Sequence, residues 1–282
     1  RQVANAKAKL KSLQTKKLRE ELGEEEVPKG KNETIESMRV ADETLMDDVD
    51  DEDIAGEQNI DEFAKYFNRE TTPKILITTN RRPKGAIFDF LKELKLALPN
   101  CEYYPRENFR IKEIIEWSKE RDFTDIMVFQ EKWGNPHSVI LSHLPEGPTA
   151  TFRVSGVRLN NDIKNHGANS GMDKVAPELI LNNFDTMLGS RLGRMIASLF
   201  PQDPELEKRR VITWHNQRDF IFFRHHRYQF EKDGSRAHLS EIGPRFTLKL
   251  HKLQLGTLNS QFGEFEFLYK PKDGVNRKKF FL

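Results

Sequence analysis

His215, His225 and His226 lie within TWHNQRDFIFFRHHRYQF (Thr213 to Phe230), interleaved with Arg218, Arg224, Arg227 and bulky aromatics. Histidines grouped in this way could bind a metal, move protons or lie against a polyanion. Zinc requires ligands at set separations, and the stretch offers no cysteine and no suitably spaced histidine pair. His225 and His226 are adjacent, so on a strand they point to opposite faces and cannot easily share an ion. A catalytic dyad needs a nucleophile within hydrogen-bond reach, which the sequence neither supplies nor excludes. Guanidiniums are costly to bury unpaired. The stretch therefore predicts a strand with Phe220, Phe222, Phe230 and Tyr228 in the core and Arg218, Arg224 and Arg227 along basic edges.

The acids meet a similar test. Asp122, Asp125 and Asp219 sit at predicted strand ends and could gather magnesium, yet no D-x-D or E-x-K cluster accompanies them. Cys101 is the only cysteine, which leaves no internal disulfide or multi-thiolate site and suits a reducing compartment. No Walker loop or G-x-G-x-x-G fingerprint occurs. No catalytic residue, metal or other cofactor is expected, and no small-molecule substrate.

Basic residues at regular positions carry more signal. Arg81, Arg82 and Lys84 occupy the turn NRRPKG at the mouth of a predicted helix, where free N–H groups and the helix dipole favour an anion. Further on, Arg191 and Arg194 flank an apolar stripe of Met187, Leu188, Leu192, Met195, Ile196 and Leu199. Gly189 and Gly193 there permit close approach of another backbone. In IGPRFTLKLHKLQLG, Phe246, Leu248 and Leu250 alternate with Arg245, Thr247, Lys249 and His251. That sets a polar, basic row repeating every ~6.8 Å, near the pitch of phosphates along a nucleic acid. An ordinary solvated sheet face fits the same pattern.

These side chains need elements to hold them. KILIT (Lys74–Thr78), CEYY, DIMVFQE (Asp125–Glu131), SVILSHL and TATFRV predict strands. AIFDFLKELKLAL (Ala86–Leu98) predicts a helix ended by Pro99, and FRIKEIIEWSKERD a second with Ile111, Ile114, Ile115 and Trp117 on one buried side. Strands alternating with helices predict an α/β fold. The second half repeats the first. PKILITTN at Pro73 matches PELILNNF at Pro177, and Pro99 matches Pro201. Arg-Asp-Phe recurs at Arg121 and Arg218, and GPTATFRV at Gly147 matches GPRFTLKL at Gly243, an offset of 96. We read two pseudo-symmetric halves of one body, about 71–160 and 175–270, followed by a basic tail.

The formal net charge of +2 conceals strong segregation. Residues 1–19 carry seven basic residues and no acid, residues 20–62 carry 18 acids against three bases, and residues from Thr71 onward carry 34 bases against 25 acids. This predicts a charged arm over residues 1–70, with a basic helix over the first 22 and a disordered acidic tract (ADETLMDDVDDEDIAGE), ahead of a polyanion-binding body. No apolar run approaches the ~20 residues that span a bilayer, so no membrane partner is expected.

Four stretches carry a resemblance: SHLPEGPTATFRVSGVRL (Ser142–Leu159), LGSRLGRMIASLFP (Leu188–Pro201), TWHNQRDFIFFRHHRY (Thr213–Tyr228) and IGPRFTLKLHKLQLG. In these the chain resembles the Brix-domain proteins of eukaryotic ribosome assembly, over roughly three quarters of its length. The resemblance implies a duplicated α/β domain whose halves look like anticodon-binding domains. It implies binding of precursor ribosomal RNA in the nucleolus of the nucleus during large-subunit (60S) maturation and rRNA processing, no catalysis, and a dedicated assembly-factor partner among pre-60S proteins. It extends RNA contact to Arg81, Arg191, Arg194 and Arg245. A protein–protein hub with incidental RNA contact is the alternative.

Overall fold

Five β-branched or aliphatic residues in a row, Ile75–Thr79, form the central strand of the first half because both of its faces are covered. In the computed structural model, which describes residues 34–40, 44–46, 60–164, 166–167, 176–231, 234, 236–258, 263–271 and 278–282, all five are buried. Most of the arm expected over residues 1–70, the predicted basic helix included, lies outside the described residues. Residues 34–40 belong to a separate unit, closed by reciprocal hydrogen bonds of 2.9 and 3.1 Å between Thr34 and Ser37.

The strands are β1 (Ile75–Thr79), β2 (Cys101–Tyr103), β3 (Asp125–Lys132), β4 (Asn135–His143), β5 (Thr149–Arg158), β6 (Glu178–Asn182), β7 (Arg210–Gln217), β8 (Phe220–Phe230), β9 (Ala237–Glu241), β10 (Arg245–Gln254) and β11 (Phe265–Leu268). They form one mixed sheet of order β2-β1-β3-β4-β5-β10-β8-β7-β6, with β9 on β8 and β11 on β10. The helices are α1 (Ala64–Phe67), α2 (Ala86–Ala97), α3 (Ile111–Glu120) and α4 (Met187–Ala197). The fold is mixed α/β, as expected.

Topology makes the duplication explicit. β1 pairs in parallel with β3, and β6 with β7; the next two strands of each half run antiparallel. α2 and α4 follow β1 and β6 and pack on one face, sharing a core of Ile87, Phe90, Leu94, Leu192, Met195, Phe223 and Phe246. The halves join where β5 meets β10, and Arg153 lies opposite Lys249. These two residues are 96 positions apart, the repeat offset itself. A local twofold axis therefore passes between equivalent residues. One expected landmark fails. Arg121 precedes β3, whereas Arg218 lies in the β7–β8 turn, so the two Arg-Asp-Phe triplets are not equivalent.

The copies differ in one consequential way. In the first half, α3 covers the opposite face through Ile114 and Ile115 against Leu76, Ile126 and Val128. In the second half a single 3-10 turn, Leu206–Lys208, stands where β2 and α3 would be. Trp117, expected on the buried side of α3, is instead 40% exposed beside Phe109.

Two boundaries move. Phe63 is fully buried and Tyr66 nearly so, so the body includes residues 60–70, which were expected in the arm. Within the acidic tract, Leu45 forms an antiparallel bridge with Thr186. Residues 280–282, expected in a basic tail, dock on the body. Asp219 Oδ1 accepts from the backbone N–H of Phe281 (2.7 Å) and Leu282 (3.0 Å), and Leu282 is buried.

A buried polar bridge ties the halves together. Arg210 on β7 is 1% exposed. It donates to the Leu96 and Ala97 carbonyls at the end of α2 (2.6 and 3.4 Å) and through Nε to His225 Nε2 (3.2 Å). His225 Nδ1 must then carry the proton it donates to the Gly243 carbonyl (2.8 Å). Burial first, and the Arg210 charge second, push the His225 pKa down from 6.5 to about 3. As pH falls, the unfolded chain takes up this proton first. The contribution is complete above pH 6.5 and is lost by about 1.4 kcal/mol per pH unit toward pH 3. Urea unfolding of the parent and His225→Gln from pH 7 to 4.5 should differ by that slope; parallel curves would show that His225 is not the group.

Candidate nucleic-acid interface

Because α3 has no counterpart in the second half, the middle of the sheet keeps one face open. Alternation decides which side chains line it. On β8, Ile221, Phe223 and His225 point into the core. Phe220, Phe222, Arg224 and His226 therefore point the other way, and Phe220 is 40% exposed. This reverses the expected register. Phe220 and Phe222 belong to the open face rather than the core, and Phe230 is likewise more than half exposed. Both faces of β8 hold aromatics, so the sequence pattern carried no sign.

On β5 and β10 the open side carries Arg153, Ser155, Arg158, Arg245, Thr247, Lys249 and His251. Cross-strand register sets Arg153 against Lys249 and Arg158 against Arg245. Like charges directly opposite on a sheet destabilise it by ~0.2–1 kcal/mol a pair. Glu241 offsets the charge of Arg245 through a two-pronged pair, so Arg153 against Lys249 is the like-charge pair that the fold keeps at its centre. The Lys249 ammonium lies 4.3 Å from the Tyr269 ring centroid and 4.9 Å from that of Phe220, and His251 stacks on Tyr269 at 5.5 Å. Burial first, then the charges of Lys249, Arg153, His137 and Lys252, hold the His251 pKa below its ordinary value.

Toward β8, a single carboxylate serves two guanidiniums. Arg245 Nε donates to Glu241 Oε1 at 2.8 Å, and Arg224 Nε lies 4.0 Å from the same atom. Burial would raise the Glu241 pKa, but Arg245 and Arg224 bring it below the usual value. The cluster keeps a positive excess. Arg224, Arg245, Lys249 and His251, expected from sequence, thus converge with Arg153, Arg158 and His137, which were not singled out. The repeat offset could have found Arg153, since it places that residue opposite Lys249 once the two strands pair.

Other expected residues lie elsewhere. Arg81, Arg82 and Lys84 are exposed in the β1–α2 turn, where the Lys84 N–H donates to Glu131 Oε2 (3.0 Å). Nearby Arg106 has a pKa lowered by burial and then by Arg81, so these two cations face each other. Arg227 is exposed, but it shares the alternation of Ile221 and Phe223 and lies on the helix-bearing side. Arg191 and Arg194 are engaged by acids of the chain. Arg194 forms a two-pronged pair with Asp61 (2.5 and 2.7 Å) and lies over Phe67, while Arg191 reaches Glu62 (2.9 Å) and Glu266 (2.8 Å). They clamp residues 61–67 onto α4.

The candidate metal acids are dispersed. Asp125 is buried against His143 Nδ1 (2.9 Å) and accepts from Thr124 (2.8 Å), Asp219 holds residues 281–282, and Asp122 is exposed. Among the described residues no group of three His, Cys, Asp or Glu side chains is placed to hold a metal ion. Burial pushes the Cys101 thiol up to about 11.

A family model described as the Brix domain matches residues 80–252. A Brix domain-containing protein of Caenorhabditis elegans is 49% identical over 266 residues, covering 94% of this chain and 68% of the relative. Ribosome production factor 1 of Mus musculus is 48% identical over 268 residues, covering 95% and 76%. Among solved structures, a probable ribosomal biogenesis protein from Aeropyrum pernix K1 aligns at 20% identity with a TM-score of 0.47, covering 63% of this chain and 96% of that one.

Proposed function

The chain belongs to the Brix-domain family, and from that membership we propose that it is a non-catalytic ribosome biogenesis factor that binds precursor ribosomal RNA on its open sheet face. The single observation carrying this reading is the like charge set in register across the β5–β10 seam, Arg153 opposite Lys249, with Arg158 opposite Arg245 beside it. A phosphate backbone laid along the β5–β10 seam converts that repulsion into attraction by releasing counterions. Arg224 extends the seam, Arg81, Arg82 and Lys84 form a second group at the strand ends, and Arg227 serves RNA that passes to the other side. Arg191 and Arg194 act mainly as clamps. Likeness to ribosome production factor 1 supports a part in ribosome biogenesis; within it, we propose work on the large subunit in the nucleolus, beside a dedicated protein partner.

Salt tests this directly. RNA affinity of the full chain should fall on the order of 10³-fold between low and moderate salt, as six or more phosphate contacts require. A flat profile refutes the electrostatic reading. The alternative, a protein hub, draws on a groove of about 210 Å³ lined by Tyr104, Phe109 and Trp117. Loss of particle association on Trp117→Ala, with RNA affinity unchanged, would favour it.

A further inference from the structure

Trp133 is the most exposed of the large apolar side chains among the described residues, at 87%. It sits at the tip of the β3–β4 hairpin, where Lys132 pairs with Asn135 across a two-residue turn. Both turn residues have positive φ, 54° at Trp133 and 86° at Gly134. Such a turn favours Asn-Gly, and a bulky aromatic in the left-handed region costs ~1–3 kcal/mol. Folding therefore gains nothing from an indole here, neither through burial nor through backbone conformation. The hairpin nevertheless presents it to solvent.

Its surroundings specify the occupant. The Lys132 ammonium covers one side of the ring at 4.7 Å from the centroid; with the residue 87% exposed, the other side is open to solvent. The β1–α2 turn adjoins the hairpin, because the Asn80 N–H donates to Phe129 O (3.0 Å) and the Lys84 N–H to Glu131. The basic turn of Arg81, Arg82 and Lys84 therefore lies against β3 at Phe129 and Glu131, a few residues before the hairpin tip. A flat π-surface flanked by cations suits an unpaired nucleobase whose phosphates lie on the basic turn.

We propose that Trp133 is a stacking finger for an unpaired RNA base, with Lys132 and Arg81–Lys84 holding the adjoining phosphates. This rests on the RNA-binding reading of the open sheet face, deepening it from a polyanion to RNA with single-stranded segments. The experiment compares the full chain with Trp133→Asn, a residue that suits the left-handed turn and so leaves folding intact. Binding of a single-stranded RNA oligonucleotide and of a fully paired RNA duplex of equal length is measured at one salt concentration. Loss of a stacked base lowers single-strand affinity ~5- to 150-fold and leaves duplex affinity unchanged. Equal losses for both RNAs, or no loss for either, overturn the stacking finger. So does a variant that binds RNA normally yet no longer joins assembling particles, since the occupant is then a protein. Arg153→Glu, which weakens both RNAs, reports on the sheet face separately, so failure of one idea is distinguishable from failure of the other.

Discussion

Arg153→Glu combined with Lys249→Glu lowers RNA affinity about 10²-fold at physiological salt, and makes the dependence of log K on log salt shallower by about 1.5. The two residues stand opposite each other across the β5–β10 seam at the local twofold axis, so one phosphate path loses two adjacent contacts and gains two repulsive charges. The single substitution Arg153→Glu behaves differently in stability. It sets a carboxylate against the Lys249 ammonium and so raises stability by ~0.5 kcal/mol, while still weakening RNA about tenfold. Weaker binding in a more stable protein is the signature of a surface arranged against its own folding. RNA affinity and salt slope unchanged in the double variant would remove the sheet face from the proposed function, whatever the stability result.

Arg210→Met is expected to cost about 3–5 kcal/mol, because the Leu96 and Ala97 carbonyls and His225 Nε2 all lose a buried donor. A typical domain has about 5–15 kcal/mol in total, so the urea midpoint should drop by roughly a fifth or more. Arg210→Lys should recover less than half of the loss. An ammonium is a point donor and does not span the carbonyls of α2 and the imidazole as a guanidinium fork does. An unfolding free energy within about 1 kcal/mol of the parent for Arg210→Met would show that the bridge is not what couples the halves.

These two arginines divide the molecule instructively. Arg153 and Arg210 are the same residue type in similar apolar-alternating strands, yet one is solvated and the other 1% exposed. The first lies on the face that α3 leaves open; the second points toward α2 and meets the carbonyls that end it. Both side chains continue the alternation of their strands. What differs is the layer above them.

Much was decided by local chemistry in the sequence. Apolar spacing with Pro99 and Pro201 placed α2 and α4 correctly, alternation placed β10, and the recurrence of GPTATFRV as GPRFTLKL marked β5 and β10 as equivalents. Motif likeness reached the family. Other features required the assembled fold. Which side of β8 faces the core could not be read, since bulky aromatics occupy both alternations and register depends on the partners β7 and β10. The fate of Arg191 and Arg194 also depended on tertiary packing, because Asp61 and Glu62, over a hundred residues away, fold back onto α4. Periodicity describes a residue relative to its own strand or helix. Exposure and charge pairing depend on which distant element, if any, packs against that face.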